Sequence, residues 1–481
     1  MASLNRRQQE PLQMLDREIN ALALSQRVAR VLTFGFGATT VMWLLCYVAM
    51  LQPGQMVGEV LFVLVVLALA GAAALGCSDL RSPAAGLWRG GWIGGVSAML
   101  NLLLIGSLLG GDSAQEMLVW IAGLIAGSVA AGGIGGLIGT AIRSGRQLNP
   151  ISGNWLGAFA FVSACIVFLM IITGGIVTGF EAGLAVPDWP NSYGHNMLLY
   201  PLSEMISDLD NGIYYEHAHR LTGMFVGLTT MTLCVMLWWG DRRLWVGVAG
   251  TAILLMVIGQ GVLGGLRVTG VLTMSEDPSI LSPSTALGIV HGVFGQICFA
   301  GMVLLAAVTT SRWSTGPAAN PHASASTDRM LGFILLVAFL MQLIIGATYR
   351  HLIVEMGVQS DQSMLLLMGH IFMAVLVTVL AILNGLRAAS THGREPILKR
   401  TGLILLTLVG VQLLLGILAT VAVLMRGEGE GIPALEVLAT SAHQANGALL
   451  LGTSTLLAFW YIRLLQPAAG QAGSTLQVQA D

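Results

Sequence analysis

Four of the nine histidines in this 481-residue chain, His219, His291, His370 and His443, stand at the ends of long apolar segments. The interval is 72 residues from His219 to His291 and 73 from His370 to His443, so one two-histidine unit is used twice. Imidazole in hydrocarbon has to be offset by a partner, which makes each of the four a functional candidate by default. Taken singly, each reads equally well as a satisfied interhelical hydrogen bond. Four at matching positions of a repeat point instead to haem. Its iron takes imidazole axially from both faces of a flat macrocycle, which a helix bundle can enclose.

The stretch YYEHAHR sets Glu216 three residues before His219, on the same helical face. Its counterpart in the second half is Leu367. A carboxylate beside one pocket and not the other suggests that the first site reacts and the second serves it; the plainer reading is an acid favouring a helix N-terminus. A di-iron carboxylate centre needs two Glu-x-x-His motifs and two further glutamates, which this chain does not offer. Arg220 follows His219 directly, and Arg267 and Arg350 stand at the outer ends of the helices preceding His291 and His370. Planar guanidinium suits carboxylates such as haem propionates, with headgroup anchoring as the alternative. Arg426, in a GEGEG-containing loop, reads as an anchor.

The elements that hold these residues are membrane helices. Hydrophobic residues make up 55% of the chain and charged residues 10%, and mean hydropathy is +0.79, which excludes an ordinary soluble domain. An α-helix needs roughly 20 apolar residues to cross a core about 30 Å thick. Twelve runs qualify, at 28 to 51, 57 to 77, 88 to 110, 116 to 142, 155 to 178, 214 to 239, 243 to 264, 286 to 310, 329 to 347, 364 to 387, 400 to 424 and 437 to 462. The expected class is therefore an all-α integral membrane protein. Assigning the 22 basic residues to alternating loops puts eighteen on one side and only Arg220, Arg267, Arg350 and Arg426 on the other. The excess marks the cytoplasmic face, with both termini inside and the four histidines near the outer leaflet.

Residues 1–27 are too long and polar for a signal peptide and read as a cytoplasmic leader helix. An N-terminal four-helix extension, 28–145, is rich in Gly and Ala and contains no histidine; such composition lets helix backbones approach closely in lipid. After a basic linker come two four-helix bundles, 155–310 and 329–462, and a polar tail, 466–481, expected to be disordered. The bundles are a duplication: Gln260, Gly264, His291 and Gly295 recur as Gln412, Gly416, His443 and Gly447, each 152 residues on, while His219 and His370 are 151 apart. Even helix numbers give both halves one orientation. In each, the histidines lie on the second and fourth helices, within two turns or so of the outer end, so that both imidazoles reach one depth.

The remaining candidates are weaker. The five cysteines occur singly, without CxxC spacing, and read as packing residues. His195 is expected at the surface, His217 away from the Glu216 and His219 face, and His322 and His392 solvated in cytoplasmic loops. His351 adjoins Arg350 and stands as a second propionate candidate. Asp188 and Trp189, stiffened by Pro187 and Pro190, are expected to shape a loop over the first pocket.

The stretch GGIVTGFEAGLAVPDWPNSYG, followed by EHAHRLTG, LGGLRVTG, HGVFGQ, GATYRH and HQANGALLLG, resembles the haem A synthases over residues 155 to 462. The resemblance implies an oxidoreductase that converts the C8 methyl of haem O to a formyl group by successive hydroxylations, for use by terminal oxidases. It implies that His219 and His291 flank substrate haem O with Glu216 beside the methyl, and that His370 and His443 ligate haem b. Many bacterial members carry a cysteine pair in the first outer loop; here Phe180 to Asn211 contains none, so a thiol role in electron delivery is not expected. The extra N-terminal helices would suit docking of the haem O synthase or an oxidase assembly factor. The competing reading is a non-catalytic dihaem b cytochrome passing electrons between quinone and a partner; a transporter is a third, without evident broken helices. No transit-like segment precedes the first helix, which favours a bacterial plasma membrane. Nucleic acid is not an expected partner.

Overall fold

The computed structural model describes residues 6–52, 54–109, 114–144, 154–207, 212–269, 283–316, 318–356, 360–426 and 431–467. Its frame consists of the helices α1 (Arg6–Ala49), α2 (Gln55–Cys77), α3 (Pro83–Leu109), α4 (Ala114–Ser144), α5 (Trp155–Gly179), a short α6 (Leu202–Ser207), α7 (Ile213–Gly240), α8 (Leu244–Thr269), α9 (Pro283–Val308), a short α10 (Ser311–Ser314), α11 (Ala325–Met356), α12 (Asp361–Leu386), α13 (Pro396–Leu424) and α14 (Ala434–Leu464). Pro83, Pro283 and Pro396 open α3, α9 and α13, where a missing N–H costs nothing and φ is already helical. Asn154 Oδ1 caps α5 by accepting from Gly157 N at 3.1 Å, and Ser360 Oγ caps α12 by accepting from Ser363 N at 3.3 Å.

Eleven helices among the described residues are long and apolar enough to cross a membrane. The expected third span corresponds to α3, which matches it in position and runs 27 residues but is not one of the eleven. The leader does not form a separate element: α1 runs without a break from Arg6 into the first span, and residues 1–5 lie outside the described residues. Most of the expected tail also lies outside them, but its first residues, Gln466 and Pro467, belong to a short strand.

The small strands were not legible beforehand. β1 (Asn191–Ser192) and β2 (His195–Asn196) form an antiparallel hairpin, and β3 (Asn320–His322) runs parallel to β4 (Leu465–Pro467). The β1–β2 turn has positive φ at both central residues, Tyr193 at 50° and Gly194 at 76°, the geometry that lets a two-residue turn follow strand twist.

The N-terminal helices pack as their glycines dictate. Gly86, Gly90 and Gly94 of α3 face Gly136, Gly132 and Ser128 of α4 so closely that any added Cβ would strike backbone atoms. These helices also join the core of the histidine-bearing part. Phe36 of α1 lies edge-on to Phe159 at 5.2 Å and stacks on Phe225 at 6.0 Å, while Trp43 meets Phe225 at 4.7 Å. Arg30 lies 4.4 Å above the Trp155 ring and pairs with Asp79 at 2.6 Å. Tyr214 Oη, at the start of α7, donates to Tyr47 O at 2.8 Å. The extension therefore braces α5 and α7 directly. Between the two histidine-bearing halves, α5, α9, α11 and α14 form the shared seam, with Gly175 and Gly179 against Ser441 and Val437, and Gly452 against Phe299 and Val303.

Candidate functional site

The four helix-borne histidines meet in pairs. His219 on α7 and His291 on α9 have ring centroids 6.5 Å apart with planes at 79°; His370 on α12 and His443 on α14 are 6.3 Å apart at 70°. An imidazole nitrogen binds a metal at about 2.0–2.1 Å, and a five-membered ring built from bonds of about 1.33 Å has its centroid about 1.1 Å from each atom. Two imidazoles on opposite sides of one metal therefore have centroids roughly 6.3 Å apart. Both pairs have that spacing.

Each imidazole packs against a glycine of the preceding long helix. A Cβ added to Gly174, Gly264, Gly346 or Gly416 would lie 3.0, 3.4, 2.7 and 3.0 Å from Cε1 of His219, His291, His370 and His443 respectively. The histidines therefore occupy four equivalent notches, one per helix pair. The repeated glutamines and glycines close the same patches: Gln412 Nε2 lies 3.2 Å from His443 Nδ1, and a Cβ on Gly447 would meet it at 3.6 Å; Gln260 faces Gly295 in the same way. Gln342 Nε2 approaches His370 Nε2 at 3.3 Å and donates to His370 O at 3.1 Å. At His219 the partner is Thr173. Its hydroxyl donates to Met170 O at 3.0 Å, so the 3.0 Å contact with Nδ1 is an N–H donated by the ring, which leaves Nε2 with the lone pair. Nδ1 of His291 and of His370 are buried without hydrogen-bond partners.

A cavity of about 530 Å³ opens beside the second pair, lined by His370, His443, Gln342, Gln412, Arg350 and His351 and reaching Gly175 and Gln296 of the first half. Such volumes suit a drug-sized or larger organic ligand. Its lining also includes Ile371, Leu413, Ile417 and Val421, all of them exposed. The glycine notches, the orphaned Nδ1 of His370 and this cavity fit a haem held by His370 and His443. At the first pair the notches and ring spacing fit the same kind of ligand.

The first site is covered by the loop after α5. Glu216 is 4% exposed; its Oε2 accepts from Val186 N at 2.8 Å and its Oε1 from Arg220 Nη2 at 2.6 Å. Arg220 donates further to the carbonyls of Val186, Asp188 and Asn191 at 2.7, 2.6 and 3.0 Å. Both terminal nitrogens of Arg220 thus hold the loop and Glu216. Asp188 Oδ1 and Oδ2 accept from Tyr193 N and Gly194 N, each at 2.7 Å. Burial pushes the Asp188 carboxyl up, but these two amides and Arg220 outweigh it and hold it below the usual carboxylate range. The Trp189 indole lies directly on the α8 backbone at Gly265.

Arg267 lies between Gly183 of the covering loop and Gly288 of α9, its Nε buried without a partner. His351 abuts Gly288 beside it, between the two histidine pairs. Arg350 caps α5 through Nη2, donating to Thr178 O at 2.6 Å and Gly179 O at 3.1 Å, while Nη1 lies 3.7 Å from Glu181.

Three expectations need correction. The second half does have a buried carboxylate: Glu436 is 1% exposed, with Arg426 Nη1 at 3.5 Å, so Arg426 does more than anchor the chain. Glu436 lies seven residues before His443, two turns along one face, a spacing that could have revealed it. His392 is 4% exposed rather than solvated, and His322 is half-buried against it. His217 is off the Glu216 face as expected, but it is fully buried, with Nδ1 3.1 Å from Ser192 Oγ. His195 is exposed as expected.

The cytochrome oxidase assembly protein family matches residues 157–455. A heme A synthase of Mesorhizobium japonicum is 25% identical over 218 residues, which cover 40% of this chain and 54% of that protein. The chain thus spans about half the length of the curated relative it matches.

Proposed function

This chain belongs to the haem A synthase family of cytochrome oxidase assembly proteins, and from that premise we propose that it oxidises the C8 methyl of haem O to a formyl group in haem A biosynthesis. The observation that carries the reading is the pair of matched histidine sites, 6.5 and 6.3 Å across, of which only the first has its carboxylate one turn from a ligand histidine on the same helix.

In this reading His219 and His291 flank haem O, and His370 and His443 hold haem b, which supplies one-electron redox chemistry when bound. Thr173 fixes the His219 tautomer, and the glycine notches fix the ring positions. The loop pinned by Arg220 and Asp188 excludes bulk water from the first site, and Glu216 handles protons there as two successive monooxygenations, each taking one oxygen atom from dioxygen with two electrons from an external donor and releasing the other as water, give a geminal diol that loses water. Arg267, His351 and Arg350 receive propionates, Arg350 through the nitrogen not bonded to α5. The eleven apolar helices support a multi-pass membrane protein; with α3 counted as a twelfth span, the basic-residue bias supports a bacterial plasma-membrane protein with both termini cytoplasmic and both sites towards the outer leaflet. Haem O synthase and oxidase assembly factors are the expected partners.

A non-catalytic dihaem b cytochrome gains support from one feature: both Glu216 oxygens already have partners. The Glu216→Gln variant separates the two readings, because glutamine keeps the Val186 bond and the volume. In a host supplied with haem O, the expected result by chromatography of extracted haems is loss of haem A with the haem b spectrum intact. Unimpaired haem A formation would remove Glu216 from the chemistry.

A further inference from the structure

At the opposite end of the second bundle, His322 at the end of β3, Asp328 in the first turn of α11 and His392 after the π-helical turn Arg387–Thr391 bring one ligand atom each within 4.8 Å of one another. Asp328 is fully buried and His392 nearly so. The eighteen residues of α11 from Asp328 to Gly346 put this cluster about 27 Å from the His370 notch at about 1.5 Å per residue, so it is separate from both paired-histidine sites.

Lone pairs crowd here. Ser324 Oγ lies 2.8 Å from His322 Nδ1 and 2.6 Å from Asp328 Oδ2, yet has one hydrogen for both. Ser324 N also donates to Nδ1, at 3.2 Å, so that nitrogen holds a lone pair. If the hydroxyl hydrogen goes to Asp328, two lone pairs face each other across 2.8 Å. A cation between them removes the conflict. Asp328 Oδ2 and His392 Nε2 are already 2.8 Å apart, and Arg387 Nε bonds the other oxygen, Oδ1, at 2.6 Å, the outer partner that a ligating carboxylate usually has. Arg387 remains the nearest cation, on the far side of the carboxylate and partly exposed.

We infer that His322, Asp328 and His392 form a site for a divalent transition metal of the zinc class, which fastens the cytoplasmic end of the second bundle. Two imidazoles and a carboxylate are a borderline donor set suited to tetrahedral Zn²⁺, the fourth position going to water or Ser324. Tetrahedral ligands at about 2.0–2.1 Å lie roughly 3.3 Å apart, so the 2.8 Å Asp328–His392 contact has to open slightly while the spacing to His322, within 4.8 Å, adjusts to match. His322, on a three-residue strand, is the member that moves, and coordination through Nε2 of His392 puts that ring's proton on Nδ1. Because β3 pairs with β4, the metal ties α11, the turn after α12 and the end of α14 together.

The test is calorimetric titration of Zn²⁺ into the untagged full chain, isolated with its haems in detergent and stripped of adventitious metal, with Co²⁺ absorption as the geometric probe. One equivalent is expected in the wild type and in His195→Ala, which alters an exposed loop histidine, with tetrahedral Co²⁺ bands. His322→Ala, at the half-buried end of β3 and leaving the Asp328–Arg387 pair in place, should weaken binding more than about tenfold. Absence of a stoichiometric site in the wild type, or equal affinity in His322→Ala, overturns the proposal.

Discussion

Adding one methyl group at each of the four histidine notches should produce a graded loss of haem binding whose order follows from distances alone. The closest ordinary carbon–carbon contact is about 3.5 Å. A Cβ at residue 346 would lie 2.7 Å from His370 Cε1, at 174 and 416 it would lie 3.0 Å from the His219 and His443 rings, and at 264 it would lie 3.4 Å from His291. The imidazoles must then retreat by about 0.8, 0.5, 0.5 and 0.1 Å to restore that contact. A site needs its groups within about 0.5 Å of productive geometry, so Gly346→Ala falls outside, the middle pair sit at the limit, and Gly264→Ala stays inside. Overpacking costs about 1–3 kcal/mol, against a gain of about 0.8–1.0 kcal/mol from replacing glycine in a helix. At 264 the gain wins and the variant should be neutral or slightly more stable. At 346 the clash wins, and a net 1–2 kcal/mol corresponds to roughly 5- to 30-fold weaker haem retention. Haem titration followed by absorption and by low-temperature EPR of bis-imidazole iron reads both occupancy and ligation. If Gly346→Ala binds haem as the wild type does while Gly264→Ala loses it, the notches do not position the ligands.

Thr173→Val removes the oxygen that accepts from His219 Nδ1 and should lower affinity at the first site by about 10- to 100-fold while leaving the second-site spectrum unchanged; haem titration against wild type measures it. Asp188 is held below the usual carboxylate value, so its contribution to loop order is full above its unfolded pKa, about 3.9, and is lost as pH falls through the lower folded value. Hydrogen exchange at Tyr193 and Gly194 should therefore stay slow from neutral pH to about pH 4 and speed up below, and Asp188→Asn should abolish that pH dependence.

Much of the site was legible because it lies on single helices or on an exact repeat. His219 with Glu216 is a one-turn spacing, and Gln260, Gly264, His291 and Gly295 repeat 152 residues on because they form one contact patch on two adjacent helices. Gly174 and Gly346 were not legible, since the long outer loop after α5 has no equivalent after α11 and puts them 172 apart, off the repeat. His322, Asp328 and His392 lie on three elements, and only tertiary packing brings them together. The burial of Arg220 against backbone carbonyls depends on the fold of a loop whose contacts periodicity does not encode. Hydropathy located the helices, yet it could not reveal that α1 shares a core with α5 and α7, because lipid-facing and protein-facing apolar residues look alike in sequence.

Ile371, Leu413, Ile417 and Val421 line the second cavity and are themselves exposed, on helices apolar enough to cross a membrane. A wall of that kind has no aqueous side. A ligand entering through it would be drawn from a two-dimensional reservoir, its supply following mole fraction in the bilayer rather than molarity in the cytoplasm. Acyl-chain order then becomes a kinetic variable for this protein, and detergent extraction replaces the reservoir from which the cavity fills.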